Sequence, residues 1–164
     1  MRTFDDFAVG QSFELGEHTM TEAEILEFAR VYDPQPFHVD PEAARSSMFK
    51  GLIASGWQTG AIYMGMLVRA VLGESTSQGS AGIDELRWQK PVRPGDVLRG
   101  RLTITGKKPS ERHPERGTVF TLGELFNQSG ERVFFIRSSG IFTKRTPGTS
   151  AELHRSSQSR WLNR

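Results

Sequence analysis

An acid and an imidazole, Asp33 and His38, stand five residues apart in Tyr32-Asp33-Pro34-Gln35-Pro36-Phe37-His38-Val39-Asp40, with two prolines between them. Side chains of these types can take and give protons at a reacting group, which is general acid–base chemistry. On an α-helix a separation of five turns the second side chain away from the first, so the two converge only if the chain leaves the helix. Pro34 and Pro36 disfavour the helical region for Asp33 and Gln35 and remove two backbone donors. The sequence therefore predicts a helix that stops near Tyr32, followed by a stiff, extended loop. Read from spacing alone, a helix-terminating Asp33 and a loop His38 satisfied by backbone form the commoner arrangement, and the surrounding residues have to decide.

Several elements must position this pair. A first strand is expected over 11–20, after the turn signal Val9-Gly10. Thr21-Glu22-Ala23-Glu24 has the form of a capping box, and Ile25, Phe28, Ala29 and Tyr32 follow at i, i+3, i+4 and i+7. That helix delivers Asp33 at its end. Asp40-Pro41-Glu42 starts a second, short helix, with Asp40 as N-cap and Pro41 at its first position, running to about Met48. Gly51-Leu52-Ile53-Ala54-Ser55-Gly56 leads into a third helix over 57–72, apolar on nearly every side and so expected to be buried.

Strands follow over 83–89, 96–105, 118–127 and 132–143, separated by Arg93-Pro94-Gly95-Asp96 and Ser129-Gly130. Leu98, Gly100, Leu102 and Ile104 alternate in one strand, while Phe120, Leu122 and Phe126 share a face of the next. A strand, then helices, then a run of antiparallel strands is an α+β order in which one sheet wraps a buried helix.

With 164 residues the chain suits one domain with a real core, assigned to 1–143. Hydrophobic residues at 36% against 24% charged are few for a compact domain, which points to a polar segment or to apolar surface covered by association. The segment 144–164 carries Lys144, Arg145, Arg155, Arg160 and Arg164 against Glu152 alone and has no apolar periodicity, so it is expected to be a disordered basic tail. Setting aside its five bases and one acid reduces the totals of 21 and 19 to 16 and 18. A slightly acidic body is a poor nucleic-acid binder. The absence of cysteine excludes disulfides and thiolate catalysis, and His18, His113 and His154 lack ligand spacing, so no metal site is expected. Neither a leader nor a membrane span is expected, and the cytoplasm is the default compartment.

The segment Asp33-x-Gln35-Pro36-Phe37-His38, followed by Asp40-Pro41-Glu42-Ala43-Ala44, resembles the Asp-x-Asn-Pro-x-His signature of the MaoC-like dehydratases, or R-specific enoyl-CoA hydratases. Gly51 to Gly56 looks like that family's oxyanion turn, and Trp88-x-x-Pro91-Val92-x-Pro94-Gly95-Asp96 like its strand-to-turn segment. Tyr32 replaces a frequent Gly and Gln35 the usual Asn. The resemblance implies a hotdog fold, an acyl-CoA substrate with no separate cofactor, and a homodimer or higher homo-oligomer.

It further implies reversible hydration of a trans-2-enoyl-CoA to an (R)-3-hydroxyacyl-CoA, with Asp33 and His38 handling one water. Ser55, Gly56 and Trp57 are then candidates to bind the thioester, the N–H groups of Gly56 and Trp57 being polarised at a helix start. Arg87, Lys90 and Arg93 are candidates for the coenzyme A phosphates. Trp57, Met64 and Met66 are expected in the core or an acyl pocket. An acyl-CoA thioesterase of this fold commonly carries an acid on its buried helix, and 57–72 has none. A non-catalytic acyl-CoA-binding subunit would be favoured if one member of the pair were missing.

Overall fold

The computed structural model describes residues 1–146. Its order is a 3₁₀ turn at Phe4–Asp6, β1 (Ser12–Thr19), α1 (Glu22–Tyr32), α2 (Pro36–Val39), α3 (Pro41–Ser46), α4 (Gly56–Leu67) continuing as a π-type turn over Val68–Leu72, then β2 (Ile83–Trp88), β3 (Val97–Pro109), β4 (Arg116–Phe126) and β5 (Arg132–Thr143). The strands form one antiparallel sheet in the order β1-β3-β4-β5-β2. This is the α+β arrangement that the order of periodicities predicts. β1 and β2 are its edges.

The inner face of the sheet is built by alternation. Leu98, Gly100, Leu102 and Ile104 of β3 are all buried, with Val119 and Leu125 of β4 and Phe134 and Ile136 of β5 beside them. Thr59, Tyr63, Met66 and Leu67 of α4 pack on that face. Gly123 lets the helix approach, because a Cβ there would lie 1.9 Å from the Tyr63 hydroxyl oxygen. Phe120, Leu122 and Phe126 do share a face, and it is the outer one, with Phe120 exposed.

Two expectations about the helices need correction. α4 is buried only on the side that faces the sheet and α1, where Gln58 donates to the Glu24 carbonyl: Trp57 and Met64 are 63 and 47% exposed, and Val68, in the turn that continues the helix, 42%. The helix is apolar on nearly every side, so its open side is apolar surface that the described residues leave uncovered. The second change concerns the loop after Asp33. Pro36 occupies the first position of a helical turn, where its fixed φ fits and its missing N–H costs nothing, so α2 replaces the extended loop. α3 ends at Ser46, with the Ser47 amide bonded to the Ala44 carbonyl, rather than reaching Met48.

The capping box at Thr21 and Glu24 is formed, and Asp40 caps α3 by accepting from the Glu42 and Ala43 amides. Ile25 and Ala29 anchor α1 in the core, while Tyr32 at its end is exposed. Of the segment expected as a tail, Lys144 donates its amide to the Glu115 carbonyl and Arg145 pairs with Asp6. The remainder, 147–164, lies outside the described residues.

Candidate active site

Three short pieces of chain bring the acid and the imidazole together. α1 ends at Tyr32, and Asp33 is its C-cap, its amide bonded to the Ala29 carbonyl. The Gln35 amide then bonds the Asp33 carbonyl at 2.8 Å, and the α2 turn carries His38 back over the end of α1. Asp33 Oδ2 lies 3.3 Å from His38 Nε2, the imidazole being almost fully buried and the carboxylate mostly so.

The other ring nitrogen fixes the tautomer. His38 Nδ1 is 2.8 Å from the Ile53 carbonyl oxygen, which can only accept, so Nδ1 carries a hydrogen and Nε2 is the nitrogen facing Asp33. Ile53 is held in turn, its amide reaching the Phe37 carbonyl, while the next residue, Ala54, donates to the Val92 carbonyl.

Asp33 receives two neutral donors. The Ser55 hydroxyl donates to Oδ2 at 2.7 Å and the Gln35 amide nitrogen to Oδ1 at 2.8 Å. Burial acts to raise the pKa of Asp33, but the Gln35 and Ser55 hydrogen bonds and the charge of His38 outweigh it and hold the carboxyl below its ordinary value. It is an ionised acceptor at neutral pH.

Ser55 is also the N-cap of α4, accepting the Trp57 amide hydrogen at 3.2 Å. That bond diverts the Trp57 N–H from the site. The Gly56 N–H has no protein acceptor among the described residues and stands at the positive end of α4. Trp88 packs on the same glycine: its indole N–H donates to the Gly56 carbonyl at 2.8 Å, and a Cβ on Gly56 would lie 2.5 Å from the ring. Trp57 meets Trp88 edge-on, with centroids 5.3 Å apart.

Asp33, Gln35, His38, Gly56, Trp57 and Trp88 line one cleft of about 520 Å³, together with Phe37, Phe49 and Lys90. Of the three cations considered for phosphate contacts, only Lys90 reaches this cleft, and it is paired with Glu131. Arg93 is tied to the Phe49 carbonyl at 2.6 Å, and Arg87 lies 3.5 Å from Glu85 on β2. Met66 is in the core, whereas Trp57 and Met64 are exposed and line separate cavities, Met64 bordering an apolar one of about 220 Å³ near the end of α4.

Sequence reasoning missed Gln35 as a partner of Asp33, although a polar residue between two prolines was a signal. It also missed the Ile53 carbonyl and Trp88, whose contacts have no local signature. Among the described residues no group of three or more His, Asp or Glu is placed to hold a metal ion, and no helix is long and apolar enough to cross a membrane.

Comparison with known proteins supplies the family. Residues 6–121 match the MaoC like domain. The chain is 29% identical to an (R)-specific enoyl-CoA hydratase of Rhodospirillum rubrum over 84% of its own length and 93% of that protein's. The crystal structure of a MaoC-like dehydratase from the same organism is 41% identical, with a TM-score of 0.82, covering 88% of this chain and 98% of that one. A Mycobacterium tuberculosis protein described as a double hotdog fold is 17% identical with a TM-score of 0.75, covering 89% of this chain and 46% of that one. The fold is thus the hotdog fold expected from the sequence. The chain belongs to the MaoC-like domain family.

Proposed function

We propose that this member of the MaoC-like domain family adds water reversibly to a trans-2-enoyl-CoA, giving an (R)-3-hydroxyacyl-CoA. The observation that carries the reading is the 3.3 Å approach of Asp33 Oδ2 to His38 Nε2 in a cleft also lined by Gly56, whose N–H has no protein acceptor among the described residues. Homology to an (R)-specific enoyl-CoA hydratase supports the reaction class and its stereochemistry.

The chemistry follows from the hydrogen-bond inventory. A water between Asp33 and His38 attacks the β-carbon of the enoyl thioester. As its oxygen bonds to that carbon, the ionised Asp33 carboxylate takes its proton, and the π electrons move toward the thioester oxygen. The Gly56 N–H, polarised at the start of α4, stabilises the charge that collects there. The step uses His38 with hydrogens on both ring nitrogens: its Nε2 proton then goes to the α-carbon, and transfer to Nε2 of the proton that Asp33 took from water restores the pair. Ile53 keeps the ring oriented through Nδ1 during the transfer. Coenzyme A enters as part of the substrate, with Lys90 as the phosphate-facing candidate at the cleft, and no further cofactor has a role.

α4, Gly56–Leu67, contains neither Asp nor Glu, which argues against activation of water for thioester hydrolysis by a helix-borne acid. The exposed side of α4 and the free outer edge of β2, where Ile83 and Trp88 are exposed, favour a homodimer that covers them. Purified protein mixed with trans-2-enoyl-CoA substrates of several chain lengths tests the reaction. Loss of the conjugated absorbance with the thioester intact supports it, and thioester cleavage without hydration removes it.

A further inference from the structure

Trp88 ends β2, and the residue it touches, Gly56, begins α4. Its indole nitrogen donates to the Gly56 carbonyl at 2.8 Å. That carbonyl belongs to the same planar peptide as the Trp57 N–H, so fixing the oxygen fixes the direction of the hydrogen. The Trp57 N–H donates to Ser55 Oγ at 3.2 Å, and the Ser55 hydroxyl hydrogen goes to Asp33 Oδ2 at 2.7 Å. Three consecutive hydrogen bonds, all pointing the same way, thus run from an indole on the sheet edge to the acid of the catalytic pair. Each link polarises the next: a peptide whose carbonyl accepts is a better donor, and a hydroxyl that accepts is a better donor too.

We propose that Trp88 is a positioning residue for Asp33, acting through the Gly56–Trp57 peptide and the Ser55 hydroxyl. The ring's contact with the Gly56 α-carbon supports the same assignment, because the approach that places the indole nitrogen on the carbonyl leaves no room for a Cβ. Glycine at 56 is thus required by Trp88 itself. The inference rests on the proposed function only in naming Asp33 as catalytic. The relay itself is a property of the folded chain.

Among the described residues, His38 lies 3.3 Å from Asp33, and Lys90, which is paired with Glu131, lines the same cleft. Neither belongs to the relay, so substitutions in the relay leave both in place. The test is the titration of the Asp33 carboxyl, followed by ¹³C NMR on protein labelled at aspartate, with Asp33→Asn identifying the resonance. Trp88→Phe keeps a ring over Gly56 and removes the N–H. It is expected to move the Asp33 midpoint upward by about half a pH unit, and Ser55→Ala to move it further in the same direction. Trp88→Phe added to Ser55→Ala is expected to change nothing more, because the link between them is gone. An unmoved midpoint in Trp88→Phe, or an equal shift from Trp88→Phe with and without Ser55, overturns the proposal. Because the readout needs no substrate, it stands apart from the enoyl-CoA assay. A relay seen in a protein that hydrates nothing would sink the function and leave the inference.

Discussion

His38 donates through Nδ1 to the carbonyl of Ile53 at 2.8 Å, and this one bond decides which ring nitrogen confronts Asp33. A backbone carbonyl accepts and never donates, so the ring cannot present Nδ1 to a substrate. Nε2 and Asp33 Oδ2, 3.3 Å apart, are left as the two atoms of the pair that face each other. The expected consequence is strong dependence on both side chains. Asp33→Asn and His38→Gln should each lower kcat by about 10² to 10⁴, and the double variant by little more than the worse single one, in a steady-state hydration assay.

The pH profile should carry the imprint of Gln35. Its amide and the Ser55 hydroxyl, with the His38 charge, outweigh burial and depress the Asp33 pKa, so the reaction's acid limb should lie below the ordinary aspartate range. Activity is present above that limb and lost as pH falls through the lowered value. Gln35→Leu removes one donor to the ionised form, so the limb should move to higher pH, while Gln35→Asn should move it less. Measurement of kcat/KM against pH for the three proteins checks this.

How much of this site could be read from the residues varies with the distance over which each contact acts. The Thr21 and Glu24 capping box, the end of α1 at Tyr32 and the Asp40 cap are local, and local rules found them. Two prolines predict a stop and an extended segment, yet Pro36 also satisfies the rule for a helix start, and in α2 that rule prevails. The bonds from Ser55 to Asp33 and from Trp88 to Gly56 join residues 22 and 32 positions apart, where no spacing rule applies. An α4 apolar on nearly every side predicts full burial, while the sheet and α1 cover only part of it, a tertiary fact that periodicity does not carry.

Outside the site, Glu124 should be a pH-dependent element of stability. It is buried on the outer face of the sheet between Arg101 and Arg132, each 2.8 Å away. Burial raises its pKa, but the two arginine hydrogen bonds and charges outweigh this and lower it, so its contribution is present above the ordinary glutamate range and is lost on acidification. Glu124→Gln should cost about 1 to 2 kcal/mol at neutral pH, less than a fully buried pair because both arginines are partly exposed. Urea unfolding should show that difference shrinking as the pH is taken to about 3.

The seating of α4 on the sheet rests on Gly123. A methyl group there would meet the Tyr63 hydroxyl oxygen at 1.9 Å and its ring carbon at 2.2 Å. Gly123→Ala should therefore destabilise the protein by about 1 to 3 kcal/mol, and Tyr63→Phe in the same chain should recover part of the loss. Thermal unfolding of the single and double variants checks the pairing.

Association should follow the uncovered side of α4. Light scattering should give at least a dimer at micromolar concentration, and Met64→Glu with Val68→Glu should shift the protein toward monomer. A stable monomer in the unsubstituted chain would remove the dimer from this account.

The hydration reading itself is decided by one assay, in which purified protein is given short and medium trans-2-enoyl-CoA substrates while absorbance, free thiol and product configuration are followed. The account predicts loss of the conjugated absorbance, an intact thioester, an (R)-3-hydroxyacyl product and near-complete loss of the reaction in Asp33→Asn. Free coenzyme A released without hydration at any chain length would contradict it.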